Sequence, residues 1–131
     1  MPNRVEWEPR YSVGNETLDH QHRELLARCN TLADCLADDS EASQQRFLDT
    51  FDELMVFARE HFAAEAALLA SSGYPELEDH QEEREEFDYL AAEIVTTANF
   101  DRIELHRFLA LWWVGHIVES SEKYQNFLKP V

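Results

Sequence analysis

Glu60-His61-Phe62-Ala63-Ala64-Glu65 is the stretch on which this chain turns. His61 and Glu65 stand four residues apart, in a run from Arg10 to Ser72 that holds no proline and one glycine, Gly14. On an α-helix that spacing puts both side chains on one face, a turn apart. A neutral imidazole and a carboxylate placed this way can share one metal ion. The pair also falls in the apolar stripe of its helix, where a polar side chain needs a partner. For the pair alone, a buried histidine hydrogen-bonded to its neighbour is the plainer reading.

Working outward, the stripe around the pair reads Phe47, Phe51, Leu54, Ala58, His61, Glu65 and Leu68, in alternating steps of four and three. That is the seam of a bundle helix, predicted over about 41–70. Ser40 is its expected N-cap and Gly73 its expected C-terminal stop. Upstream, Leu18, His22, Leu25, Cys29, Leu32 and Leu36 repeat the pattern and predict a helix over about 18–37. Downstream, Pro75 suits a first turn, and Leu77, His80, Arg84, Phe87, Ala91 and Ile94 mark a helix over about 75–97. Arg84 is the anomaly of that seam, since a guanidinium there must reach out to water or meet a buried carboxylate. Asp101-x-x-Glu104 resembles a capping box and opens a helix over about 101–127, with Leu105, Leu109, Trp112 and His116 in its seam. His20 is expected to face solvent and His106 to lie at the bundle edge. Residues 1–16 read as an N-terminal arm that packs on the body through Trp7, Tyr11 and Val13. The pattern contains no strand. It predicts an all-α, antiparallel up-down-up-down four-helix bundle forming a single domain over residues 1–131.

The chain's 131 residues suffice for one core, and 27 acidic against 11 basic residues leave a formal charge of −16. Such a surface repels nucleic acid and anionic membranes. No apolar run reaches the roughly 20 residues of a membrane span, and residues 1–16 show no apolar signal region. A cytoplasmic monomer is the expectation. Cys29 and Cys35, about 9 Å apart along one helix axis, are too far apart for a comfortable disulfide and are expected to be reduced.

Each predicted helix carries one seam histidine: His22, His61, His80 and His116. Histidine is uncommon in apolar seams, because each buried imidazole needs partners. His22 and His80 lie near the starts of their helices, His61 and His116 late in theirs. In an antiparallel bundle all four therefore come to the same end, together with Glu65. Convergent imidazoles with one carboxylate fit a late first-row transition metal such as iron, and fit calcium or magnesium poorly.

These residues resemble the hemerythrin family, specifically its single-domain bacteriohemerythrins. Ser12-Val13-Gly14-Asn15 before Leu18-Asp19-His20-Gln21-His22 resembles the family's N-terminal signature. His61-Phe62-Ala63-Ala64-Glu65 resembles its HF-x-x-E motif, and Tyr74-Pro75 followed by His80 its third segment. Trp112-Trp113-Val114-Gly115-His116-Ile117 with Tyr124 resembles the fourth. The resemblance implies a non-haem di-iron centre that binds O₂ reversibly, held by five histidines and two bridging carboxylates. It would put His22 and His61 on one iron and His80 and His116 on the other, with Glu65 as a bridge. Two family ligands are replaced: Arg84 stands where the family has histidine, and Ser121 where it has the second bridging aspartate.

Three states of the site are compatible with these departures. A di-iron site needs Arg84 to swing away and another acid or water to replace the lost bridge; Glu119 and Glu122 are candidates, though both point off the required direction. A mononuclear site would use His22, His61 and Glu65. A metal-free bundle would pair Arg84 with Glu65. Charge bears on the choice, because two unit charges about 4 Å apart interact by about 4 kcal/mol even at an effective dielectric near 20, so a guanidinium beside a metal ion is disfavoured. The functional expectation is binding, storage or sensing of O₂ or a related small ligand, with sensing calling for a protein partner. The alternatives are a mononuclear non-haem iron enzyme or peroxide-handling protein, and a metal-free structural bundle.

Overall fold

The computed structural model describes residues 4–97 and 100–128; residues 1–3 of the expected arm lie outside them. Four helices make up the fold: α1 (Glu16–Asp34), α2 (Glu41–Ser71), α3 (Leu77–Thr96) and α4 (Arg102–Leu128). Among the described residues there is no strand. α1 packs on α2 and α4, and α3 packs on the same two helices. With short links between consecutive helices, this neighbour pattern is that of an antiparallel bundle.

The ends are set by local chemistry. The Asn15 side chain accepts the Leu18 amide, so α1 starts at Glu16, two residues earlier than its seam suggested. It ends at Asp34, before the Asp38-Asp39-Ser40 turn, with Cys35 as its cap. Ser40 Oγ accepts the Ser43 amide at 3.1 Å and caps α2. At the other end of α2, Gly73 has φ +75°, the Tyr74 amide donates to the Leu69 carbonyl and the Gly73 amide to that of Ala70. That double closure satisfies two of the carbonyls a helix end leaves open. α3 begins at Leu77 and not at Pro75, with Glu76 at its cap. Asp101 accepts the Ile103 amide at 2.8 Å and opens α4.

The predicted seams face inward, with small adjustments. Leu18, Leu25, Cys29, Leu32, Phe47, Leu54, Phe87, Leu105 and Leu109 are fully enclosed. Cys35 and Leu69 are buried where the seams had placed Leu36 and Leu68. Both shifts fall at helix ends, where the 3.6-residue turn gives way to a turn or cap. Leu77 is exposed at 37%, because it sits at the start of α3. His106 is a correction: it is 4% exposed and not at the bundle edge. His20 faces solvent. Cys29 and Cys35 are free and buried, and burial pushes the Cys29 thiol up to about 12.

The arm lies on the body. Val5 exchanges two 2.7 Å hydrogen bonds with the Asn30 side chain. Trp7 lies under the Arg23 guanidinium and edge-on to Tyr11. Asp19, 8% exposed, accepts from Ser12 Oγ at 2.6 Å and from the Val13 amide at 2.9 Å. This clasp seats Val13 beside Leu18, Leu69, Tyr74, Tyr124 and Leu128 in a second apolar cluster. Among the described residues no helix is long and apolar enough to cross a membrane.

Candidate metal centre

All four seam histidines and Glu65 are buried at one end of the bundle: His22, His61 and Glu65 at 0% exposure, His80 and His116 at 3%. The Glu65 carboxylate lies among them. Its Oε1 is 2.7 Å from His80 Nε2 and 3.4 Å from His116 Nε2; its Oε2 is 2.9 Å from His61 Nε2 and 3.5 Å from His22 Nε2. Each oxygen thus faces one pair of histidines, the division the resemblance implied. The tightest grouping is a different one. Donor atoms of His22, His61, Glu65 and His116 all lie within 4.8 Å of one another, with His80 across Glu65.

The donor set fits a metal ion. His61 Nε2 is 3.0 Å from His22 Nε2 and 3.2 Å from His116 Nε2. Neighbouring imidazole nitrogens can share a proton pairwise, but one nitrogen donates at most one. Glu65 Oε2, though 2.9 Å from His61 Nε2, lacks the geometry of a hydrogen bond and is left without a partner. Buried polar atoms are ordinarily satisfied. A cation bound by three imidazole nitrogens and a carboxylate oxygen is the arrangement that would satisfy these atoms together.

Electrostatics divide the imidazoles into two kinds. Burial lowers the pKa of His22 to about 4 and also lowers that of His61, against the pull of Glu65. Both are neutral at pH 7 and present lone pairs. His116 goes the other way: burial opposes its charge, but Glu65 and Glu83 outweigh that and raise its pKa to about 10. Burial likewise opposes ionisation of Glu65, and the facing imidazoles, His116 first, overcome it, holding the carboxyl well below its usual range.

The pairing of Arg84 with Glu65 is not formed. Arg84 is half-buried on α3, and among the described residues every ion-pair partner of Glu65 is an imidazole. The enclosed carboxylate is already surrounded, and a guanidinium left near the surface keeps its hydration. Ser121 turns away and donates to the Val118 carbonyl at 3.2 Å. Glu119 and Glu122, offered as replacement acids, are exposed and lie outside the cluster.

Three further residues escaped the seam reading. Gln21 Oε1 accepts from His61 Nδ1 at 2.8 Å. Glu83 Oε1 accepts from His116 Nδ1. Ser120, 1% exposed, puts its hydroxyl 3.5 Å from His116 Nε2. Seam periodicity selects residues that point at the core, and these reach it from the flanks. Apolar rings close the rest: Phe62 packs on His61, His80 and His116, Trp113 on His61 and His116, and Trp112 lies parallel to the His116 ring at 5.3 Å. A cleft of about 770 Å³ between α3 and α4, bordered by Asp79, Glu82, Glu83 and Glu86, reaches down to His116.

Residues 13–128 match the hemerythrin HHE cation binding domain. The chain belongs to the hemerythrin family. A hemerythrin-like protein of Naegleria gruberi is 32% identical over 98% of this chain and 97% of its own length. A bacteriohemerythrin of Stenotrophomonas maltophilia is 28% identical over 94% of this chain and 80% of its own, and one of Clostridium acetobutylicum 26% identical over 90% and 96%. No solved structure matches significantly. Membership places the chain among non-haem iron-binding, oxygen-related proteins.

Proposed function

We infer that this hemerythrin-family protein holds iron through His22, His61, Glu65 and His116, with His80 across the carboxylate, and uses it to bind O₂ or a related small ligand for carriage, storage or sensing. The observation that carries this reading is the buried set of four donors within 4.8 Å of one another. Bound iron would supply a reducible Lewis acid with open positions for a small ligand.

The chain's own residues do the rest. His22 and His61 present neutral nitrogens, and Gln21 holds the His61 ring by its far nitrogen at 2.8 Å. Glu65 supplies the negative charge a cation needs in an enclosed site. Phe62, Trp112 and Trp113 wall the site with apolar surface, which admits a small apolar molecule and disfavours water. Loss of the family ligands at positions 84 and 121 supports one metal per chain. A two-metal reading is favoured by one observation, the facing of each Glu65 oxygen to its own histidine pair.

Iron content after anaerobic reconstitution tests the proposal. One equivalent per chain is expected in the wild type, and less than a tenth of that in Glu65→Ala. Two equivalents would move the assignment to the two-metal reading. A wild-type chain that takes up no iron would overturn both. Arg84→His with Ser121→Asp is expected to raise the uptake to two.

A further inference from the structure

Family ligand positions leave this centre one carboxylate short, since Ser121 stands where an acid belongs. The structure supplies a carboxylate at another place. Glu83, on α3 next to Arg84, takes the Nδ1 proton of His116 on its Oε1. Nδ1 and Nε2 point away from each other across the imidazole ring. The Nε2 of the same ring faces the cluster, 3.2 Å from His61 Nε2 and 3.4 Å from Glu65 Oε1. A hydrogen bond at Nδ1 keeps the proton on that nitrogen and leaves Nε2 as the one that gives up its proton to a metal. Trp112, parallel to the ring at 5.3 Å, and Trp113, edge-on to it, already hold its plane. What the tryptophans cannot choose is which nitrogen keeps its proton when a metal binds, and Ser120 Oγ at 3.5 Å and Glu65 both offer acceptors to an Nε2–H.

His61 is held differently. Its Nδ1 is held by the neutral oxygen of Gln21 at 2.8 Å, whereas His116 is held by an acid. A carboxylate behind the ring makes the imidazole a more basic ligand and brings a negative charge within one ring of the metal position. Glu83 also stands on the wall of the cleft that reaches His116, with its side chain 24% exposed. Among the described residues it is the one cleft acid hydrogen-bonded to a cluster histidine.

We propose that Glu83 is the positioning carboxylate of the metal centre, acting through His116 in place of the charge lost at Ser121. This rests on the reading of the site as a metal centre. It assigns Glu83 no direct contact with the metal: in this arrangement the whole His116 ring lies between.

Purified, metal-free full-length chain titrated with Co²⁺ tests the proposal, with affinity from chelator competition and the visible cobalt bands as readouts. Glu83→Ala is expected to weaken Co²⁺ affinity ten- to a hundredfold, the range for a lost outer-shell partner, and to alter the band pattern. Glu83→Gln, which keeps an acceptor oxygen and loses the charge, is expected to fall between Glu83→Ala and wild type. Glu82→Ala and Glu86→Ala remove equal charge from the same cleft without touching His116, and are expected to stay within about twofold of wild type. Equal affinity in wild type and both Glu83 variants would overturn the proposal and leave the metal centre standing. Glu82 or Glu86 effects as large as those of Glu83 would also overturn it, since the cleft's general charge would then be responsible. A wild-type chain that binds no Co²⁺ and no iron would remove the metal centre itself, and this proposal with it.

Discussion

Phe62 joins the two halves of this protein. It is 1% exposed, and its ring meets Phe87, Trp112 and Trp113 on the core side and His61, His80 and His116 on the other. Packing and site therefore share one side chain. Phe62→Ala would remove that ring from a close-packed interior and cost about 3–5 kcal/mol of stability, for lost burial plus the cavity left behind. Urea unfolding of the metal-free chain measures this. A loss below about 1 kcal/mol would mean that the neighbouring rings collapse into the space. Phe62→Leu, which fills most of the volume, is expected to recover about half of the loss. What sets the nearby histidines apart is that their Nε2 atoms face one another across a single carboxylate.

At the scale of elements, the end of α2 sets up the approach to the site. His61 and Glu65 occupy its last turns, and Gly73 then reverses the chain so that α3 can bring His80 to the same level. Gly73 has φ +75°, and a Cβ placed there meets nothing within 4 Å. Space is therefore no obstacle, and the left-handed backbone alone calls for glycine. Gly73→Ala is expected to cost about 1–2 kcal/mol, the left-handed strain of a residue with a Cβ. Gly73→Asn, which tolerates that conformation better, should cost less. Chemical denaturation of the two variants checks the order; equal stability of alanine and glycine at this position would show that the turn relaxes. Tyr74 follows the turn and packs with Leu69, so strain here also reaches the second apolar cluster.

Charge and pH act on the whole molecule. With a formal charge of −16, every added negative charge meets self-repulsion in the compact state. Tyr74 is the group whose titration shows this. Burial first, then the acids Glu76, Asp79 and Glu83, raise its phenol from 10.0 to about 12. Below pH 10 neither the folded nor the unfolded chain ionises it, and its contribution to stability is complete. Between pH 10 and about 12 the unfolded chain ionises and the folded one resists, so stability falls as pH rises. Urea midpoints between pH 9 and pH 11.5 should therefore drop more steeply in wild type than in Tyr74→Phe. Identical slopes would assign the alkaline loss to other groups. Tyr124 packs edge-on to Tyr74 at 5.0 Å and is raised in the same direction, mainly by burial.

The bundle was legible in the sequence because a helix seam is a local, periodic quantity. Apolar steps of four and three, Ser40 and Asp101 at helix starts and Gly73 after α2 follow from short-range geometry. The gathering of His22, His61, Glu65, His80 and His116 at one end followed from the same periodicity together with alternating helix direction. The fate of Arg84 did not, because periodicity places a Cβ on a face and leaves a long side chain free to return to water. Local pattern likewise put His106 at the edge, where the structure buries it, since helix rotation is set by contact with the neighbouring helix. Gln21, Glu83 and Ser120 answer imidazole nitrogens from flanking positions that no single-helix period marks. Sequence alone thus determined which side chains meet at that end. Only the tertiary structure decided how each Glu65 oxygen is faced, which imidazoles are neutral, and which acid stands behind His116, because those depend on distances of a few ångströms between helices that the chain's local rules do not specify.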